Sequence, residues 1–227
     1  MSVVGDLPVA GTVVILRPGD AGIEALLLRR PERGSFANAW VFPGGKVEES
    51  DRVPGAAEID DARRAGIRET REEVGLDVDD LVPLSLWEPP EEAPTRIRTW
   101  FFLATAPAQE LVPAPDEVVE ARWIAPAAAL DLHAAGEWTL FPPTWMTLHR
   151  LRGHTGVGAA LAAAGAPPVY RTRIVDSPAG RSFHWEDESL DTARLPWRVR
   201  RRHPGPRERE DRGEETPTSS GPFPVAG

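Results

Sequence analysis

An α/β fold is what this sequence predicts, and three observations predict it. Short runs rich in Val, Ile, Leu and aromatic residues recur between Pro- and Gly-containing turns, the pattern of strands. Between the third and fourth of these runs the chain changes to a helical period. Apolar residues make up 41% and charged residues 27% of 227 residues, an ordinary balance for a globular chain that buries one core without staples.

The elements follow in order. Val9 to Leu16 reads as a buried strand centred on Val13, Val14 and Ile15. Pro18-Gly19-Asp20 turns the chain, and Ile23 to Leu28 returns as the second strand of a hairpin. Arg29 to Asn38 is polar, contains Pro31 and Gly34, and reads as a loop. Trp40-Val41-Phe42 is a short strand that runs into the turn Pro43-Gly44-Gly45. From about 58 to 74, Ala62, Ala65, Ile67, Thr70 and Val74 approximate one apolar stripe, so this segment is a helix. Gly66 weakens it, and Gly75 stands where a closing glycine is expected.

Leu81 to Trp87 and Arg96 to Ala104 read as strands joined by a Pro-rich loop. Val118 to Ile124 is a further strand. Pro126 and Pro142 each open a helix, the second carrying Trp145, Met146, Leu148 and Leu151 near a 3.6-residue spacing. Gly153 to Gly165 is Gly- and Ala-rich and ambiguous, while Val169 to Val175 and Arg181 to Trp185 pair as a hairpin. From Arg200 onward Arg, Glu, Pro, Gly, Ser and Thr dominate, and too little apolar material remains to offset the entropy of ordering. The expected organisation is a domain over residues 1–155, an extension over 156–199 packed on it, and a disordered tail over 200–227.

Composition narrows the function. A net charge of −9 argues against a general nucleic-acid binder, which is usually basic. The chain has no cysteine, so disulfides and thiolate metal sites are excluded. No stretch approaches the ~20 apolar residues that cross a bilayer. The first sixteen residues lack the basic and apolar regions of a signal peptide. A cytoplasmic protein with neither nucleic-acid nor membrane partners is the expectation. Its oligomeric state stays open, a homodimer included.

The segment Arg68-Glu69-Thr70-Arg71-Glu72-Glu73-Val74-Gly75-Leu76 carries the chemistry. Glu69, Glu72 and Glu73 stand at i, i+3 and i+4, so a helix puts them on one face. Three neighbouring carboxylates repel each other, more strongly near a partly buried surface. A divalent cation removes that conflict, and Mg²⁺ favours oxygen ligands while keeping room for water and phosphate. The bland alternative is a solvated acidic face balanced by basic partners such as Arg68 with Glu72.

Upstream lies Phe42-Pro43-Gly44-Gly45-Lys46-Val47-Glu48, whose glycines let the backbone approach a metal or phosphate closely. Together the two segments resemble the Nudix box of the Nudix hydrolases: a glycine, five residues, a glutamate, seven residues, then Arg-Glu-aliphatic-X-Glu-Glu-X-Gly-aliphatic. Gly45 fills the glycine position, and Arg68 to Leu76 match the end, with Thr70 at the aliphatic position. Two departures stand out. Asp51 follows Gly45 where glutamate is usual, and sixteen residues separate it from Arg68. Either Asp51 or Asp60, eight residues before Arg68, fills the acidic position.

The resemblance covers about residues 8–155 and implies an α/β/α sandwich with a mixed β-sheet. It implies a Mg²⁺- or Mn²⁺-dependent hydrolase that cleaves a diphosphate linkage in a nucleoside-diphosphate-linked small molecule, such as a coenzyme A derivative or a nucleotide sugar. Glu72 and Glu73 would be the principal metal ligands. Glu69 would be a further ligand or the base acting on water, Arg68 would orient the glutamates, and the Gly45 carbonyl would add a ligand. Asp116-Glu117, six residues before Trp123, looks like the region that supplies a distal carboxylate; Glu117 is the candidate, with Glu91 and Glu92 as rivals.

Substrate residues are less sharply marked. Arg29, Arg30 and Arg33 precede the glycine segment and suit phosphate, which pairs well with guanidinium. The stretches Thr99-Trp100-Phe101-Phe102-Leu103 and Leu140-Phe141-Pro142-Pro143-Thr144 also resemble the coenzyme A diphosphatase-like branch. Trp100 and Phe102 alternate in one strand and share a face, where a base has room to stack. The five histidines show no metal-ligand spacing. Against the enzyme stands a catalytically weak nucleotide-binding regulatory module, which the Asp51 departure and the inserted residues keep in play.

Overall fold

A computed structural model of the chain describes residues 7–20, 22–34 and 36–201. Twelve strands and four helices are assigned within them. The first strand, β1 (Val9–Gly19), is buried on both sides because its apolar residues do not alternate with polar ones. Val13 and Ile15 face one core cluster, and Val14 and Leu16 face the other. β1 forms the expected hairpin with β2 (Gly22–Arg29). β3 (Trp40–Val41) adds to β2, and β4 (Gly44–Lys46) pairs antiparallel with the first half of β1. The reading of Pro43-Gly44-Gly45 as a plain turn is thereby corrected: β1 is long enough to hold β2 with one half and β4 with the other.

Helix α1 (Glu58–Val74) follows, then β5 (Val82–Glu88), β6 (Arg98–Thr105) and β7 (Glu120–Ile124). Parallel pairing of β1 with β6 joins the two halves of a mixed sheet in the order β3-β2-β1-β6-β5-β8, with β7 on β2. Its last strand, β8 (Val169–Arg171), lies parallel to β5. Helix α1 covers one face of the sheet. Helices α2 (Pro126–Ala134), α3 (Pro142–Leu151) and α4 (Val157–Ala163) cover the other. The α/β/α arrangement is therefore as expected.

A second antiparallel sheet packs on the α2–α4 side in the order β12-β11-β10-β9. It comprises β9 (Arg173–Ser177), β10 (Gly180–His184), β11 (Glu188–Asp191) and β12 (Arg198–Arg201). Leu190 and Trp185 join the core cluster there. The expected hairpin over 169–185 is half right: β9 and β10 pair, but β8 leaves for the main sheet. Arg200 and Arg201, assigned by composition to the tail, close β12 instead, because their backbone pairs with β11. The remainder of that tail, 202–227, lies outside the described residues.

Helix α1 crosses β1 at very short range. A Cβ on Gly11 would sit on the Ala62 carbonyl, and one on Gly66 would press on Val13 at 3.0 Å. Gly66, a liability for the isolated helix, is what lets α1 lie this close to the sheet. Thr70 is fully buried, and its hydroxyl donates to the Gly66 carbonyl at 2.7 Å. A buried threonine thus replaces the usual aliphatic residue without leaving its oxygen unpaired.

Candidate active site

The site forms where the last two turns of α1 meet β4 and the segment before β7. Gly75, at φ 70°, ends the helix in the left-handed conformation. Backbone N–H groups of Val112 and Ala114 then donate to the carbonyls of Val74 and Glu73, both at 2.9 Å. These bonds satisfy carbonyls that every helix end leaves open, and they tie the returning chain to α1. Val118 is buried and anchors it. Three residues beyond Ala114, Glu117 thereby reaches Glu69 and Glu73, and carboxylate oxygens of the three lie within 4.8 Å of one another.

Glu73 is the fixed point of this group. It is 1% exposed, accepts from the Gly44 N–H at 2.9 Å, and pairs with the Arg30 guanidinium at 2.6 Å. Burial pushes its carboxyl up to about 7, against the opposing pull of Gly44 and Arg30. Glu69 is also pushed up by burial, although Arg68 at 3.0 Å draws it back. Gly45 lies directly under the Glu69 carboxylate, where a Cβ would overlap it. Replacing Gly45 with Ala is therefore expected to lower kcat at least tenfold while Tm falls by only a few degrees; a steady-state assay and a thermal melt decide it. Equal kcat in both proteins would remove Gly45 from the site.

Arg68 is the hub. It donates to both oxygens of Asp51 at 3.1 and 3.0 Å, to Glu69 at 3.0 Å, to Glu72 at 2.9 Å and to the Lys46 carbonyl at 3.1 Å. Such two-point contact is what a planar guanidinium offers a carboxylate. Asp51 is buried; burial raises its carboxyl, but Arg68 and the Glu48 N–H outweigh that and hold it below the usual range. Asp60 pairs with Arg63 on the outer helix. Asp51, not Asp60, is therefore the aspartate that meets Arg68, and the chain leaves it over residues 52–57 before α1 begins. Arg64 donates to the Asp51 carbonyl at 2.6 Å, and Val53 N–H to Asp61 at 3.3 Å, which closes the base of that excursion.

Other candidates fall elsewhere. Glu72 pairs with Arg68 on the surface and is not one of the three converging carboxylates. Arg29 and Arg30 point to opposite faces of the strand end; Arg29 lies 3.7 Å from Glu120, across the sheet from Glu73. Arg33 reaches the Asp116 carbonyl at 3.2 Å, beside Glu117. Glu91 and Glu92 stay in the loop between β5 and β6, outside the carboxylate group. The Trp100–Phe102 face is no open platform: Phe102 is fully buried under Arg63, and Trp100 donates to Glu58 at 2.9 Å. Composition and spacing did not single out Phe36 and Phe141. Both are exposed and meet edge to face at 4.8 Å, Phe36 from the loop that starts at Arg30 and Phe141 from the start of α3.

The family model described as the NUDIX domain matches residues 6–142, more than half of the chain. This protein belongs to the Nudix family. Its enzyme class is that of a Nudix pyrophosphohydrolase. Among solved structures, a Nudix hydrolase from Alicyclobacillus acidocaldarius is similar with a TM-score of 0.64 and 22% identity, over 73% of this chain and 100% of that one. The NUDIX domain of Shewanella oneidensis NrtR, solved with ADP ribose, is similar with a TM-score of 0.52 and 15% identity, over 65% of this chain and 88% of that one. At these identities the likeness bears on the fold. Among curated proteins none matches the sequence.

Nudix hydrolases in general use divalent cations, and the donor set of this Nudix domain suits one. Glu69, Glu73 and Glu117 offer only hard oxygen donors, the type that Mg²⁺ and Mn²⁺ take. Both Glu73 oxygens already accept one hydrogen bond, and each retains a second lone pair. Among the described residues no helix is long and apolar enough to cross a membrane.

Proposed function

We propose that this Nudix protein hydrolyses the diphosphate linkage of a nucleoside-diphosphate-linked small molecule with one Mg²⁺ or Mn²⁺ held by Glu69, Glu73 and Glu117. The observation that carries this reading is the convergence of three carboxylates from two distant segments against Gly45. When bound, the cation polarises phosphoryl oxygens and makes water a better nucleophile.

The chain's own residues do the rest. Glu73, held from two sides, fixes the position of the group. Glu69 keeps an oxygen free of Arg68, and that oxygen takes the proton of the attacking water. Arg68, gripped by Asp51, keeps Glu69 in place, and Glu72 steadies Arg68 from outside. Arg33, beside Glu117, is placed to meet a phosphate, while Arg30 is committed to Glu73. Phe36, on the same loop as Arg33, and Phe141, before α3, offer a planar base an apolar corner.

The non-catalytic reading drew on Asp51 and on the insertion. Asp51 makes the two-point contact with Arg68, and the excursion leaves the carboxylate group assembled, so neither feature favours it. The test is mass spectrometry of products after incubation with Mg²⁺ or Mn²⁺ and a panel of coenzyme A, acyl-coenzyme A, ADP-ribose, NADH, dinucleoside polyphosphates and nucleoside triphosphates. Cleavage at a diphosphate, abolished by EDTA, is the expected result. Binding of a panel member without cleavage under any metal would overturn the enzyme reading in favour of the binding module.

A further inference from the structure

A cavity lies on the opposite face of the main sheet from the glutamates. Its volume is about 460 Å³, within the range of small-molecule pockets. Leu84, which is partly exposed, forms part of its apolar floor and packs against the cluster under α2–α4, not the one under α1. Ala164 lines one wall, and Arg150, Glu188 and Arg201 line another. Apart from Leu84, these residues all lie beyond residue 142, where the family match ends. The cavity is built largely by the part of the chain that the NUDIX domain model does not cover.

The polar wall is unbalanced. Glu188 accepts from Arg150 at 2.6 Å and lies 3.6 Å from Arg201, its cross-strand neighbour. Two cations thus share one carboxylate. Arg201 is 83% exposed and only loosely engaged, and Arg150 also rests over the Tyr170 ring at 5.5 Å. An apolar floor beside a net positive wall is complementary to a molecule with an apolar body and one anionic end.

We propose that this cavity binds a small amphiphilic anion, its carboxylate or phosphate on Arg150 and Arg201 and its apolar part against Leu84 and Ala164. Glu188 competes with the ligand for the arginines. The site is separate from hydrolysis, and its test needs neither metal nor turnover.

Isothermal titration of the full chain in EDTA, with hexanoate and hexyl phosphate as probes, decides it. Saturable binding of at least one probe is expected, and which one binds tells carboxylate from phosphate. Arg150→Gln is expected to weaken binding about tenfold and Glu188→Gln to tighten it by a similar factor, the scale of one charge-assisted hydrogen bond. Ala164→Phe, which fills the cavity, is expected to abolish binding. Absence of saturable binding in both the wild type and Glu188→Gln would overturn the proposal. So would binding unchanged by Arg150→Gln, a variant that leaves the cavity's apolar part intact.

Discussion

Glu73→Gln is expected to lower kcat by roughly 10²–10⁴-fold, the scale of a positioned catalytic carboxylate, and yet to leave the metal-free protein at least as stable as the wild type. The two halves of this expectation have one cause. Glu73 is buried, and burial raises its carboxyl from the ordinary 4.5 to about 7 despite Gly44 and Arg30. Between those values the native state holds a proton that the unfolded chain has released. Stability of the metal-free protein therefore falls as pH rises from 4.5 to about 7, and stays lower above it. The glutamine variant has no such proton to lose, so its stability changes less over that window. Urea unfolding in EDTA at about pH 5 and about pH 8, beside a turnover assay with Mg²⁺, reads both effects. A variant that is less stable and still active would show that Glu73 serves packing alone.

Arg68→Ala is expected to produce the largest loss of stability among the site variants. It strands Asp51, a buried carboxylate, and leaves Glu69 without its cation. Breaking a buried pair by removing one partner costs about 3–5 kcal/mol. Arg68 keeps some exposure, which places the cost near the low end, about 3 kcal/mol or roughly 6–12 °C in Tm for a chain of this size. Removing Asp51 as well takes away the stranded charge. The double variant Asp51→Ala/Arg68→Ala should therefore be more stable than the sum of the two single losses implies. Simple additivity in thermal or urea unfolding would mean that the Asp51–Arg68 contact is not coupled in solution.

Much of this architecture was legible in the residues. The apolar stripe, with Gly75 at its end, placed α1 where it is found, and the spacing of Glu69 and Glu73 put both on the face that meets β4. Glu117, singled out for a spacing to Trp123 that resembles the family's, lies beside Glu69 and Glu73. What stayed hidden depends on contacts between distant segments. Local spacing cannot choose between Asp51 and Asp60, because the choice rests on how residues 52–57 leave the site and return. Arg30 looked like a phosphate ligand since its partner, Glu73, is far along the chain. Glu72 shares the helix face with Glu69 and Glu73, but Arg68 holds it at the rim. Phe102 alternates with Trp100 like a stacking platform, and only the position of α1 shows that it is core. β8 escaped because a three-residue strand carries too little pattern to say which sheet it joins.

The parallel pairing of β1 with β6 has a consequence for the order of events during synthesis. Val9 waits for Arg98 before the centre of the sheet closes, and Glu117 is made later still. The glycine segment and the helix glutamates have by then long left the ribosome. Until those later strands arrive, α1 has its close seat on Gly11 but half a sheet beneath it, and its apolar face stays open to other chains. The residues that define the family are thus translated well before they can act, and the nascent chain is most in need of shelter in the interval between them.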